Sequence, residues 1–276
     1  MSRSLAKRRG WPGYLWAPLS PAQRAWAGAA GVVLFLVALQ VLPTTGVVDR
    51  EHTPPLTEVV AALVKRVATP AFWEALLNTL VTWGIGLGIS VAIAVVLGLL
   101  IGGIPVLREF SASTIEFLRP IPSVALIPLA VLLYGTGRDA TLLLVIYAAV
   151  WQMLIQVIYG VQDVDPVARD TAHSYRFPKR FTLTNVILPT VLPYAVTGFR
   201  LSASVALILT ITGELIIGTP GLGKLIAIAQ ESGAVASMYA LVLVTGFLGL
   251  AVNGIVRVLE RRALHWHPSV RREGAK

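Results

Sequence analysis

The stretch Asp165-Pro-Val-Ala-Arg-Asp-Thr-Ala-His-Ser-Tyr-Arg176 runs on through Phe177-Pro-Lys-Arg-Phe181, Val186-Ile-Leu-Pro189 and Leu192-Pro193. It is the longest polar interval between the apolar runs of the second half of the chain. Asp165 is a good N-cap. Pro166 is a good first helical residue, because the first amides of a helix need no intrahelical partner. Phe177 is held extended ahead of Pro178, which can open a second short helix. Pro189 and Pro193 mark where the next apolar run begins. The stretch therefore predicts two short helices joined at Arg176–Phe177, lying outside the hydrocarbon and attached to a membrane segment.

Around it the 276-residue chain is 55% hydrophobic and 13% charged, with mean hydropathy +0.74, too apolar for an ordinary soluble domain. The net charge of +9 comes from short basic clusters between apolar runs. Membrane topology and anionic lipid account for that pattern, and no aromatic-interleaved basic patch points to nucleic acid. Cysteine is absent, which excludes disulfides and thiolate metal sites.

The fold class expected is an all-α integral membrane protein with six spanning segments. Residues 1–24 form a basic amino-terminal segment, 25–260 the membrane domain and 261–276 a basic tail. The first apolar run, Ala25 to about Pro43, has no small-residue cleavage site after it and reads as an uncleaved span. Ala75–Leu107 holds 33 residues without a charge. A straight helix of that length reaches ~50 Å, beyond a ~30 Å hydrocarbon core, so it must tilt, bend or protrude. The remaining segments are Pro120–Gly137, Ala140–Gln162, about Thr190–Ile217, and Ser232–Val256 with its helix starting near Ala236. Between the first two, Leu56, Val59, Val60, Leu63, Val64 and Val67 share one helical face. They predict a short amphipathic helix, either at the membrane surface or packed on the protein. Gly84 with Gly88 and Gly98 with Gly102 are small-residue pairs that permit close helix contact, within one subunit or between two.

Basic residues set the orientation. With the amino terminus inside, only Arg50, Lys65, Arg66, Arg138 and Lys224 of the 23 fall on outside segments. Both termini and residues 163–189 are then cytoplasmic, while 44–73 and 218–235 are outside.

The stretch quoted first resembles the cytoplasmic coupling loop of ABC importer permeases. That pattern has Glu-Ala-Ala, a Gly four residues after the second Ala, and Ile-x-Leu-Pro ten residues further on. The corresponding positions here are Asp170, Thr171, Ala172, then Arg176, then Val186, Leu188 and Pro189. The spacing is kept throughout; Thr171 replaces an Ala and Arg176 replaces the Gly that a turn between two helices favours. Arg119-Pro-Ile-Pro-Ser-Val-Ala-Leu-Ile-Pro-Leu129 with Tyr134-Gly-Thr-Gly137 resembles the third-helix region of the nitrate, sulfonate and taurine permeases. Gly198-Phe-Arg200, Glu214 and Gly221-Leu-Gly223 resemble their fifth helix and following turn. The likeness covers roughly residues 72–260.

The resemblance implies a permease subunit of a binding-protein-dependent ABC importer in a bacterial inner membrane. It implies three partners: an ABC ATPase subunit, an extracytoplasmic substrate-binding protein and a second permease subunit, expected as a homodimer. The solute is nitrate, a sulfonate or taurine, with pyrimidine, thiamine or flavin precursors as the alternative within the same machinery. A secondary transporter or channel is the alternative of another class. No cofactor is expected, and no enzymatic site. Gly218-Thr-Pro-Gly-Leu-Gly-Lys224 nearly spells a phosphate-binding loop, but Leu225 stands where a Ser or Thr should hold magnesium, so a turn or re-entrant segment is expected. His265 and His267 have no third ligand nearby and read as part of the tail. Arg200 and Glu214 are charges inside an apolar segment, ~21 Å apart along a helix and so unable to pair. Either they line the translocation path, or Arg200 snorkels to the inner interface and Glu214 sits at the outer one.

The topology is open to test in this cysteine-free chain. Single cysteines at Ser2, Ser174 and Thr219 should divide by side, with Ser174→Cys unreachable to an impermeant reagent added outside; its labelling from outside would overturn the assignment.

Overall fold

The structure, a computed structural model, describes residues 20–265. Of the bases counted to the inside for orientation, Arg3, Lys7, Arg8, Arg9, Arg271, Arg272 and Lys276 lie outside the described residues, as do Ser2 and His267. Every described element is helical, and the chain divides into two units at Glu58/Val59.

In the first unit, α1 (Pro21–Thr44) opens with a reciprocal cap. Ser20 Oγ accepts the Gln23 amide at 3.2 Å, and Gln23 Oε1 accepts the Ser20 amide at 2.9 Å. The helix is long and apolar enough to span a bilayer. Beyond it, Gln40 Oε1 accepts the Thr57 amide at 3.0 Å and folds the following segment back along the helix.

The predicted amphipathic helix is α2 (Leu56–Val67), and its apolar face is divided. Val59 is buried and Val67 packs with Phe72 and Leu222, whereas Val60 and Val64 stay exposed. Arg66 Nε donates to Ser237 Oγ at 2.8 Å.

The long charge-free segment is a single helix, α3 (Pro70–Gly103), which begins earlier and ends sooner than expected. It stops because Pro105 removes an amide and pushes Ile104 into an extended conformation (φ −115°, ψ 106°). The third segment differs more. It was expected at Pro120–Gly137. Instead a polar helix, α4 (Pro105–Leu118), turns through 83° into a 3₁₀ turn at Ser123–Leu126 and then α5 (Ile127–Tyr134). Pro120 and Pro122 fall in the bend, which explains why no straight helix crosses them. Next come α6 (Arg138–Gln162), the loop region, and a helix through α9 (Leu188–Ile217). The chain continues with α10 (Leu222–Glu231) and α11 (Val235–Ala263).

Helix α6 is the centre of the second unit: buried residues recur along it from Ala140 to Val161. A methyl group added to Gly86, Gly98 or Gly102 of α3 would lie 2.5–2.8 Å from Val145, Val157 or Val161 of α6 respectively. Those three contacts advance together along both chains, so α3 and α6 run parallel. The chain between Gly103 and Arg138 must therefore recross to the face where α3 began. That makes the bent α4–α5 pair the third crossing and brings the total to six. Where α6 packs on α9, Gly160 meets Tyr194, Gly198 meets Met153, and Gly213 meets Thr141, an antiparallel order. Helix α9 thus runs against α3 and α6, and α11 runs against α9, with Arg200 near Asn253 and Leu207 near Gly249. The end of α6, the start of α9 and the end of α11 consequently share one face. Helix α10 and the start of α3 lie at the other.

Hydroxyl and indole groups supply cross-helix bonds. Ser202 Oγ donates to the Ala149 carbonyl at 2.8 Å and Trp83 Nε1 to the Ala203 carbonyl at 2.9 Å. Such bonds and close glycine contacts hold membrane helices together where hydrophobic burial offers little. Gly98 with Gly102 is therefore a contact within the subunit, while Gly84 and Gly88 face open space. Replacing Gly98 with Val should cost roughly 1–3 kcal/mol by overpacking against Val157. Gly88→Ala should be neutral or gain up to about 1 kcal/mol from helix propensity. Thermal midpoints of the detergent-solubilised protein would compare the two; equal loss in both would contradict the packing described.

Candidate functional site

The stretch between α6 and α9 opens with α7 (Pro166–Ser174). Asp165 caps it as expected, its Oδ1 accepting the Val167 amide at 2.8 Å. The helix ends in a Schellman turn: the Phe177 amide reaches the Ala172 carbonyl at 2.9 Å and the Arg176 amide the His173 carbonyl at 3.0 Å. That turn needs one residue in the left-handed region, usually glycine. Arg176 occupies it with φ +53°, the only non-glycine at positive φ among the described residues. The position was expected to favour glycine, and the backbone geometry is the glycine one, held by an arginine at ~1–2 kcal/mol.

The second short helix, α8 (Lys179–Thr182), is not separate from the membrane helix. A π turn at Leu183–Ile187 carries it directly into α9, so Lys179–Ile217 is one helix of 39 residues. The fifth segment, expected from about Thr190, therefore begins earlier, at Lys179, and Pro189 lies inside it. Pro189 has no amide for the Asn185 carbonyl and its ring crowds that oxygen; the wider turn just before it relieves the conflict. Side chains cover neighbouring carbonyls: Asn185 Nδ2 donates to Phe181 at 3.0 Å and Thr190 Oγ1 to Val186 at 2.9 Å. Val186 lies in the π turn, and Leu188 and Pro189 begin the helix beyond it.

Two bonds tie this loop to the membrane helices. Arg169 Nη2 donates to the Val161 carbonyl in the last turn of α6 at 3.1 Å. Tyr194 Oη on α9 donates to Asp163 Oδ2 at 2.9 Å. Asp170 and Thr171 are exposed, with Val167 (71%) and Tyr175 (73%) beside them in sequence. Ala172 is only 3% exposed, so it faces its own chain, and a large residue there would unseat the loop itself. Sequence reading missed an aromatic row along the turn. Tyr175 stacks on Phe177 with ring centroids 6.0 Å apart, and Phe177 meets Phe181 at 4.8 Å. The signal was available in the Tyr-Arg-Phe and Lys-Arg-Phe spacing.

Arg200 and Glu214 are not brought together. Arg200 lies toward the loop end of α9, its Nε donating to Asn253 Oδ1 at 3.2 Å and Nη1 standing 3.8 Å from Glu260 Oε2, with part of the guanidinium exposed. Glu214 is fully buried at the other end. Its Oε2 accepts Thr79 Oγ1 at 2.9 Å and the Gly223 amide at 3.0 Å. The Gly218–Lys224 segment is the expected turn: Gly218 reverses the chain at φ +83°, and Leu222 starts α10. Thr219 is 2% exposed, so Ser232, which is exposed, is the better labelling position for that side. No group of three metal-ligating side chains occurs among the described residues.

Since glycine carries no penalty at positive φ, Arg176→Gly should leave the loop as stable or up to about 1 kcal/mol more so, its gain offset by unfolded-chain entropy. Arg176→Val, β-branched at the same φ, should lower the thermal midpoint clearly. Equal midpoints for Gly and Val would refute the strained turn.

Residues 84–265 match the family described as the binding-protein-dependent transport system inner membrane component. The taurine transport system permease protein TauC of Escherichia coli (strain K12) is 29% identical over 222 residues, covering 79% of this chain and 81% of that one. The putative aliphatic sulfonates transport permease protein SsuC of Bacillus subtilis (strain 168) is 24% identical over 252 residues, 90% and 91% of the two chains. Among solved structures, an inward-facing MetNI methionine ABC transporter shares the fold with a TM-score of 0.61 at 16% identity. That alignment covers 71% of this chain and 99% of that one. With five crossings in its second unit, a capped helix presented between α6 and α9, and a family match over well more than half its length, the chain belongs to the family of inner-membrane permease components of binding-protein-dependent ABC importers.

Proposed function

We propose that this chain forms the transmembrane path for a small sulfonate or related oxyanion, as a homodimer in a bacterial inner membrane. ATP is hydrolysed by a separate subunit docked on the loop that holds α7, and solute arrives from a binding protein on the opposite face. The observation that carries the reading is mechanical. Helix α7 is exposed, capped at both ends, and bonded to α6 through Arg169 and Val161, while α8 and α9 form one rod across the membrane. A partner that closes on ATP can shift such a rod as a unit, because packed helices move between discrete arrangements. In this reading Asp170 and Thr171, with Val167 and Tyr175, meet the ATPase. Ala172 and Arg176 shape the turn, and Val186, Leu188 and Pro189 join it to the rod. The basic loop and the end of α11 lie on one face, which the excess of Lys and Arg assigns to the cytoplasm, with both termini on that side. Basic side chains there also meet anionic lipid headgroups.

The likeness to TauC and SsuC supports the solute class. Arg200, partly exposed where α9 meets Asn253 and Glu260 of α11, is the charge in the path that suits an anion, while Glu214 acts from inside its wall.

The test is to express this chain with the ATPase and binding protein encoded beside it. The purified complex is placed in proteoliposomes, and the solute carried by the binding protein is identified by mass spectrometry. Taurine or another sulfonate is expected, with ATP-dependent uptake that Arg200→Gln reduces without changing complex yield. Val167→Glu and Tyr175→Ala should leave the permease in the membrane but weaken ATPase retention about 5–30-fold, the range for one or two kcal/mol at an interface anchor. Uptake that persists without any ATPase would instead favour a secondary transporter, and a pyrimidine or flavin precursor on the binding protein would redirect the solute class alone.

A further inference from the structure

The side chain of Glu214 is a costly feature that a transmembrane path does not explain. It is fully buried, its Oε2 takes both of its hydrogen bonds, and Oε1 has no partner. An apolar side chain of similar size would fill that space without the desolvation cost. What the acid does is fix the start of α10. The first amides of a helix have no intrahelical partner. Here the Gly223 amide is met by Glu214 of α9. The Leu222 amide is met by Thr79 Oγ1 of α3 at 2.9 Å, and the same hydroxyl donates to Glu214. One three-member chain of bonds thus joins α3, α9 and α10.

The backbone is shaped to admit it. A methyl group on Gly221 would lie 2.0 Å from the Glu214 carboxyl carbon, and one on Gly223 2.4 Å from the Ile211 carbonyl oxygen. A second clasp sits alongside, where the buried hydroxyls of Thr141 on α6 and Thr219 in the turn are 3.0 Å apart. Phe72, Ala75, Leu222, Ile226, Ala229 and Leu241 pack together beside them. This assembly is at the far end of the rod that begins in the loop at Lys179, ~58 Å away along the helix.

We propose that Glu214 is a positioning residue for transport: with Thr79 it locks α10 to α9 and α3 as one rigid block at the outer mouth, so that displacement of the ATPase-docking loop reaches that mouth through α9. This rests on the importer reading above. The block moves with α9, and the Gly218–Gly223 turn does not act as a hinge.

The experiment uses the full complex in nanodiscs and reads ATP hydrolysis with and without the binding protein purified with its own solute. Glu214→Ala and Thr79→Val should assemble but lose binding-protein control, the stimulation ratio falling by at least about five-fold, the lower end of coupling between distant sites. Glu214→Gln keeps an acceptor oxygen for both donors and should restore most of the ratio, which a purely charge-based role would not. A wild-type ratio in Glu214→Ala overturns the proposal. The pair Thr141→Cys with Thr219→Cys reports independently, even if the alanine variant fails to assemble. Oxidation to the disulfide should leave the ratio unchanged, whereas loss on oxidation and recovery on reduction would mean that the turn swings free of α6, and the rigid block would be refuted. Absence of any stimulation in the wild-type complex would remove the importer reading and this proposal with it; a normal wild-type ratio with no effect of the variants removes only the proposal.

Discussion

In hydrocarbon, a backbone amide or carbonyl without a partner costs several kcal/mol, and no water is at hand to supply one. At several helix ends the second unit of this chain meets that constraint by borrowing a side chain from another helix. Tyr147 of α6 donates to the Leu118 carbonyl at the end of α4 at 2.6 Å. Arg169 of α7 covers Val161 at the end of α6, and Thr79 with Glu214 covers the opening of α10. Each repair is also a tether, so the breaks that could have loosened the fold become its cross-links.

The close approach of helices follows from the same economy of polar groups. Lipid competes evenly with Leu or Val for apolar contact, so helices gain by approaching closely enough for dispersion and short hydrogen bonds. Glycines 86, 98 and 102 allow this against three valines of α6, and glycines 160, 198 and 213 allow it where α6 meets α9. Helix α6 is therefore gripped by two helices, which sets α3 and α9 antiparallel to each other and brings Thr79 within reach of Glu214.

Much of this was legible from residues alone, and the reasons are local. The N-cap of α7, the span α6 and the amphipathic α2 rest on patterns a few residues long, which local physics decides. The need for a left-handed residue at Arg176 was implied by the resemblance, whose pattern carries a Gly at that position. Two features were not readable. Pro120 and Pro122 stood inside the expected third span, but the 83° bend depends on where α4 and α5 pack. Pro189 marked the entry to the fifth apolar run, and the π turn that carries the helix through it is a collective adjustment of several residues. The partners of Glu214 were also hidden: its carboxyl meets residues on two other elements, and sequence spacing carries no signal for that. The three glycines at 218, 221 and 223 were the sole local trace of it.

The distance in sequence between Thr79 and Glu214 bears on the order of assembly during synthesis. The two residues are 135 positions apart. Helix α3 leaves the ribosome long before α9, so the Thr79 hydroxyl has no carboxylate to meet until the fifth crossing has been inserted. The amides of α10 then find both acceptors at once. Closure of the end that carries α10 is therefore a late event in the order of synthesis. Until α9 and α10 have both emerged, the Thr79 hydroxyl lacks the carboxylate and the amide that it holds in the folded chain.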